Sequence, residues 1–269
     1  MASRKEQKEQ ARARRLEQER QAAAKTQQRR RYMMLGGVLG VAIVVIVIAI
    51  VVSSGGGNSS TGLQKGHSAT KTYAQVNQLL HGIPQRGTTL GDPKAPVTMT
   101  YFGDLQCPIC RDFTLNDFPQ FIQNQVRTGK VKVVYKSFCT ATGCPQNQGT
   151  FNTQQVAAYA AGQQKLFWDY TELFYHEQGQ EDTGYVNTSY LDGLARQIPK
   201  LNLNKWKSDQ GDPSLLSQVQ ADEQSASAQG LSGTPTLIMT GKKGSEMVEG
   251  TGGALPNYGN LAAAVQAVQ

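Results

Sequence analysis

Between residues 97 and 138 the chain reads as strand, cysteine pair, helix, strand, and that succession limits the folds open to everything around it. The first strand is "VTMTYF" (97–102), rich in β-branched and aromatic residues. "CPIC" follows at 107–110. In "RDFTLNDFPQFIQNQVRTG", Phe113, Phe118, Phe121, Ile122 and Val126 fall on one helical face, with Gly129 as the stop and Pro119 as an expected kink. "VKVVYKSF" (131–138) is the second strand. A helix returning the chain to a second strand in one sheet makes a right-handed βαβ unit.

Further on, "GTPTLIMTG" (233–241) and "SEMVEG" (245–250) read as a hairpin, and "NYGNLAAAVQAV" closes the chain as a helix. The stretch 139–232 is too long for a loop. Segments 153–161, 165–176, 188–198 and 214–229 in it have helical patterns, so it is expected to be an inserted helical subdomain. The aromatic run "LFWDYTELFY" belongs there as core. The expected class is α/β, a thioredoxin-like fold with that insertion.

The N-terminal part has a different character. Residues 1–31 hold eleven Lys/Arg and four Glu, so the whole formal charge of +7 sits in this tail and the rest is neutral. A nucleic-acid partner for the main domain loses its support. Residues 32–52 carry no charge, and at ~1.5 Å per residue they can cross a hydrocarbon layer of ~30 Å. Arg29, Arg30 and Arg31 abut one end, which places the N-terminus in the cytoplasm and the remainder outside. The run exceeds the ~7–15 residues of the apolar h-region of a cleaved signal peptide, so a single uncleaved transmembrane anchor is expected at the cell membrane. Residues 53–71 are expected to be a flexible linker, Gly- and Ser-rich at their start, and 72–269 the extracytoplasmic domain. Tyr73, Val76, Leu79, Leu80 and Ile83 at helical spacing predict a short helix at its entrance. All four cysteines lie on the outer side, where disulfides persist.

The thiolate is the attacking form of cysteine, and a helix start favours it through unpaired N–H groups and the dipole. Cys107 stands at such a start, and Pro108 suits the first helical position because its missing N–H is not needed there. Cys110, one turn further in, is the resolving sulfur. Two other readings stay open. A structural bridge gains little from so short a loop. A zinc site using both cysteine pairs meets the wider spacing of Cys139 and Cys144.

"GIPQRGTTLGDPKAPVTMTYFGDLQCPIC", the helical insertion and "GTPT" together resemble the membrane-anchored DsbA-like thiol–disulfide oxidoreductases, from about residue 75 to the C-terminus. The resemblance implies a cis Pro235 beside the tetrad and a Thr234 backbone that binds an extended substrate peptide. It also implies an integral membrane, quinone-linked partner that reoxidises the pair. The fold's pattern often has a buried acid six residues before the first cysteine, for proton transfer. Tyr101 stands there, so Asp104 is the candidate, with a turn or capping role as the alternative.

Cys139 and Cys144 flank "TATG" and are expected to form a structural disulfide, with a redox-active or free pair as the alternative. His67, His81 and His176 have no metal spacing, so no metal or cofactor is expected. The sequence thus points to an enzyme that oxidises cysteine pairs of exported polypeptides. A reductase or isomerase, for example one serving cytochrome maturation, and a non-catalytic peptide-binding module are the other readings.

Overall fold

The computed structural model describes residues 63–181 and 183–269. The expected tail (1–31), anchor (32–52) and all of the linker before residue 63 lie outside the described residues. Among the described residues no helix is long and apolar enough to cross a membrane.

Helix α1 spans His67–Leu80 and buries Thr72, Val76 and Leu80. It begins inside the stretch 53–71 that the sequence assigns to the linker. The first-turn residues His67, Ser68 and Thr70 are exposed, so the early turn leaves no apolar period to read. Two very short strands follow, β1 (Gln85–Arg86) and β2 (Thr89–Leu90), joined through Gly87 at φ 54°. They are too short to show alternation and were not anticipated.

Strands β3 (Val97–Gly103) and β4 (Val131–Ser137) pair in parallel, in register from Val97↔Val131 to Gly103↔Ser137. Strand β5 (Thr236–Gly241) lies antiparallel on the other side of β3, and β6 (Gly244–Met247) completes the hairpin at the edge. The sheet order is β1-β2-β4-β3-β5-β6. Strand β3 is thus central, and Val97, Met99, Tyr101 and Phe102 are all sealed from solvent. Its last residue, Gly103, is a glycine in a place where a Cβ would stand 2.7 Å from the Tyr135 ring.

Between β3 and β4 run α2 (Pro108–Asn116), α3 (Phe118–Phe121) and a π-helical turn (Ile122–Val126). The kink expected at Pro119 is a break at Asp117, which ends α2, and Pro119 opens the next helix. Phe113 and Phe118 pack edge-on against Tyr101, and the Trp168 ring lies tilted beside them at 5.4 Å from Phe118. Each such burial contributes about 1.5–3 kcal/mol of transfer free energy.

The insertion contains α4 (Gln148–Gly162), α5 (Phe167–His176), α6 (Thr188–Arg196), α7 (Leu203–Asp209) and α8 (Pro213–Ala228). Helix α7 escaped the sequence pattern because Trp206 is its sole buried residue. That Trp206 is fixed by its Nε1, which donates to the Ala157 carbonyl at 2.7 Å. Helix α5 packs on α1, α2, α4 and α6, so its aromatic run is core, as expected. Helix α9 (Tyr258–Val268) closes the chain under a capping box of Asn257 and Asn260, packed on β5 and β6. Asp222 of α8 docks the insertion to the sheet by accepting from Ser137 N and the Tyr159 hydroxyl.

Burial of Glu172 on α5 is costly for its charged form. The side chain is sealed, Oε1 has no partner among the described residues, and desolvation, with Asp169 nearby, pushes its pKa up to about 8. The folded state therefore holds a proton that the unfolded chain gives up near the ordinary Glu value. This contribution is complete below that value and is lost as pH rises towards 8. Glu172→Gln should therefore stabilise the domain increasingly above pH 5, with little effect below pH 4. Thermal melts of both proteins across that window check it, and the expected difference grows by at most ~1.4 kcal/mol per pH unit.

Candidate active site

The parallel ends of β3 and β4 deliver two loops side by side. Residues 104–107 leave β3 and residues 138–144 leave β4, and Phe138 N donates to Gly103 O at 2.9 Å. Cys107 is the N-cap of α2, Pro108 is in its first turn, and Cys107 Sγ accepts from Cys110 N at 3.3 Å. This is the helix start read from the sequence. Both sulfurs of the pair are free thiols. Cys107 keeps 4% of its surface exposed and Cys110 none, while Ile109 between them is 44% exposed.

The two thiols titrate in opposite directions. Cys107 is drawn down from the ordinary thiol range to about 7. The largest cause is the hydrogen bond from the Cys110 thiol; the Thr234 hydroxyl and the amides of Cys110 and Ile109 add to it, against the cost of burial. The sequence credited the amides and the dipole, but the neighbouring thiol contributes more. Burial pushes Cys110 well up, and its bond to Cys107 raises it further. A thiol drawn down thus sits beside one that burial keeps protonated.

Thr234 and Pro235 stand against the pair. The peptide between them is cis, and Cys107 Sγ lies 3.4 Å from the Thr234 carbonyl oxygen. Asp104 is fully buried beneath the tetrad. Its carboxylate accepts five hydrogen bonds, from Gln106 N, Thr140 N, Thr142 N, Thr142 Oγ1 and Gln154 Nε2. Cys139 and Cys144 are joined in a disulfide with Cα atoms 6.1 Å apart. The fold thus gathers Cys107, Cys110, Thr234, Pro235 and Asp104 at one end of the sheet, with the Cys139–Cys144 loop beside Asp104.

Other contributors were not legible beforehand. Gln178, just past α5, donates from Nε2 to Leu105 O at 2.8 Å and Cys107 O at 3.1 Å. Tyr175 donates to Asp104 O, and Gln154 joins Gln106 and Thr142 under the loop. Tyr101, in the place of the acid, donates to the Cys110 carbonyl at 3.4 Å. Gln154 carries no sequence signal of its own, because Gln148, Asn152, Thr153 and Gln155 share its helix.

The family model described as "Thioredoxin" matches residues 85–251, more than half of the chain. Disulfide bond formation protein D of Bacillus subtilis (strain 168) is 26% identical over 175 residues, covering 62% of this chain and 75% of that protein. Among solved structures, oxidised BdbD from Bacillus subtilis aligns with a TM-score of 0.56 at 20% identity, covering 68% of this chain and 96% of the other. Wolbachia pipientis alpha-DsbA1 aligns with a TM-score of 0.54 at 16% identity, covering 72% of this chain and 95% of the other. The insertion on a thioredoxin sheet is therefore a DsbA-like arrangement. The chain belongs to the thioredoxin family and is a thiol–disulfide oxidoreductase.

Proposed function

We propose that this chain introduces disulfides into exported polypeptides, working outside the cytoplasmic membrane from an anchor at residues 32–52. The observation that carries the chemistry is the split between the two sulfurs: a Cys107 that keeps 4% of its surface exposed and is drawn down to about 7, and a sealed Cys110 pushed well above the ordinary thiol range. Similarity to a protein named for disulfide bond formation supports the oxidising direction.

In this reading a substrate thiolate attacks Cys107 Sγ of the oxidised pair. The new substrate–Cys107 bond forms as the Cys107–Cys110 bond breaks, and Cys110 leaves and takes a proton. A second substrate thiolate then attacks the substrate sulfur, closing the product disulfide and releasing Cys107 as thiolate. The pair has gained two electrons, which an integral membrane partner would pass to a quinone. Ile109 offers an exposed apolar contact beside the sulfur, and the cis Thr234–Pro235 segment a backbone edge for an extended peptide. The five bonds on Asp104 favour the anchoring role over proton transfer, because its oxygens are already engaged. The Cys139–Cys144 bridge is read as structural.

One observation favours a second reading. A thiol near 7 resembles the value of about 7 in thioredoxin, a reductant, more than the value of about 3.5 in the oxidant DsbA. A more stable thiolate makes a stronger oxidant, so a reductase or isomerase role fits this value as well.

Alkylation of Cys107 by iodoacetamide should show a pH midpoint near 7. Cys107→Ser should reduce catalysis of reduced-ribonuclease refolding to the background rate, and Cys110→Ser should accumulate mixed disulfides. Catalysis surviving in Cys107→Ser would contradict the mechanism. Equilibration of the pair with glutathione fixes the direction: a potential near the ~−120 mV of DsbA supports the oxidase, one near the ~−270 mV of thioredoxin the reductase. Removing residues 1–52 should move the protein from the membrane fraction to the soluble one, and retention in the membrane would refute the anchor.

A further inference from the structure

The exchange reaction makes no use of the Cys139–Cys144 bridge, yet its loop bonds both segments that border the reactive sulfur. Thr140 N and Thr142 N donate to Asp104 Oδ2 at 3.0 and 2.8 Å, and Thr142 Oγ1 donates to Asp104 Oδ1 at 2.6 Å. The loop is therefore closed by a covalent bond at its ends and pinned at its centre to the segment carrying Cys107. Thr140 Oγ1 then lies 2.6 Å from Thr234 Oγ1. Thr234 borders the pair: its carbonyl is 3.4 Å from Cys107 Sγ, and its hydroxyl is among the donors that draw the Cys107 thiol down.

Hydroxyl protons fix the direction of this contact. Either threonine can donate to the other, because each has one O–H and two lone pairs. A Cys107 thiolate only accepts, so the Thr234 O–H stabilises it only by pointing at the sulfur. Thr140 must then be the donor to Thr234. With the Thr234 O–H on the sulfur, the two bonds would run in one direction, Thr140 to Thr234 to Cys107, each polarising the next. Were Thr234 to donate to Thr140 instead, its proton would be lost to the sulfur.

We propose that Thr140 is a positioning residue of the redox pair: held by the Cys139–Cys144 bridge and by Asp104, its hydroxyl donates to Thr234 and thereby aims the Thr234 O–H at Cys107 Sγ. This rests on Cys107 being the reactive thiolate of the proposed function. The bridge closes a short ring and constrains the unfolded chain less than a long one would. It holds the path of the chain at Thr140, next to Thr234.

The test is the titration of the Cys107 thiolate by ultraviolet absorbance in the full chain, with circular dichroism confirming the fold of each variant. Thr140→Val keeps the shape and the amide bonded to Asp104 but removes the hydroxyl. It should raise the thiolate midpoint by about half to one pH unit, the loss of one ordered donor. Thr140→Ser should restore it. In a Thr234→Val background, Thr140→Val should have no further effect, because the relay is already cut. Replacing both Cys139 and Cys144 by Ala should raise the midpoint with Thr140 intact. A midpoint unchanged in Thr140→Val, or not restored by Thr140→Ser, overturns the relay, and an unchanged midpoint in the double alanine variant overturns the role of the bridge. A wild-type chain titrating like free cysteine would sink the reading of Cys107 as the reactive thiolate, and this inference with it.

Discussion

The carboxylate of Asp104 ties together two chain segments that would otherwise leave the sheet with buried, unpaired donors. Strands β3 and β4 end level with each other, and the segment after β4 turns its Thr140 and Thr142 amides towards the loop that carries Cys107. A buried N–H without an acceptor costs about 1–3 kcal/mol. One carboxylate has enough lone pairs to satisfy both amides, the Thr142 hydroxyl, Gln154 and the Gln106 amide together. The position of Cys107 relative to the Cys139–Cys144 loop, and so to Thr234, follows from that single group.

The difference between the two cysteines follows from depth. One helical turn separates them, enough to leave Cys107 at the rim and to seal Cys110 under Tyr101, Tyr135 and Tyr175. Desolvation keeps Cys110 protonated, and a protonated Cys110 is the strongest donor that Cys107 has. The buried sulfur thus activates its neighbour by remaining neutral, and the helix amides add to that effect.

The inserted helices contribute to the reactive loop directly. Helix α4 brings Gln154 under it, α5 brings the Tyr175 hydroxyl to the Asp104 carbonyl, and Gln178 holds the carbonyls of Leu105 and Cys107. The Cys107 carbonyl accepts from Arg111 N inside the helix, and Gln178 adds a second donor to it and one to the Leu105 carbonyl. Gln178 reaches Cys107 from 71 positions away.

The sequence alone determined the parts whose signal is local. β-branched and aromatic content in "VTMTYF" and the apolar run "VKVVYKSF" placed β3 and β4; Cys107, Pro108 and the apolar face after them placed the start of α2; the family resemblance placed Thr234 and Pro235 beside the pair. Strands β1 and β2 are too short to complete a period, α7 buries only Trp206 and so shows no apolar face, and the exposed first turn of α1 passed for linker. Which donors reach Cys107, and with what strength, was decided by the tertiary structure, because Thr140, Gln154 and Gln178 meet the loop only after the insertion has packed on the sheet. A residue's chemistry is written in its type and its immediate spacing; its partners across dozens of positions are set by how the core closes.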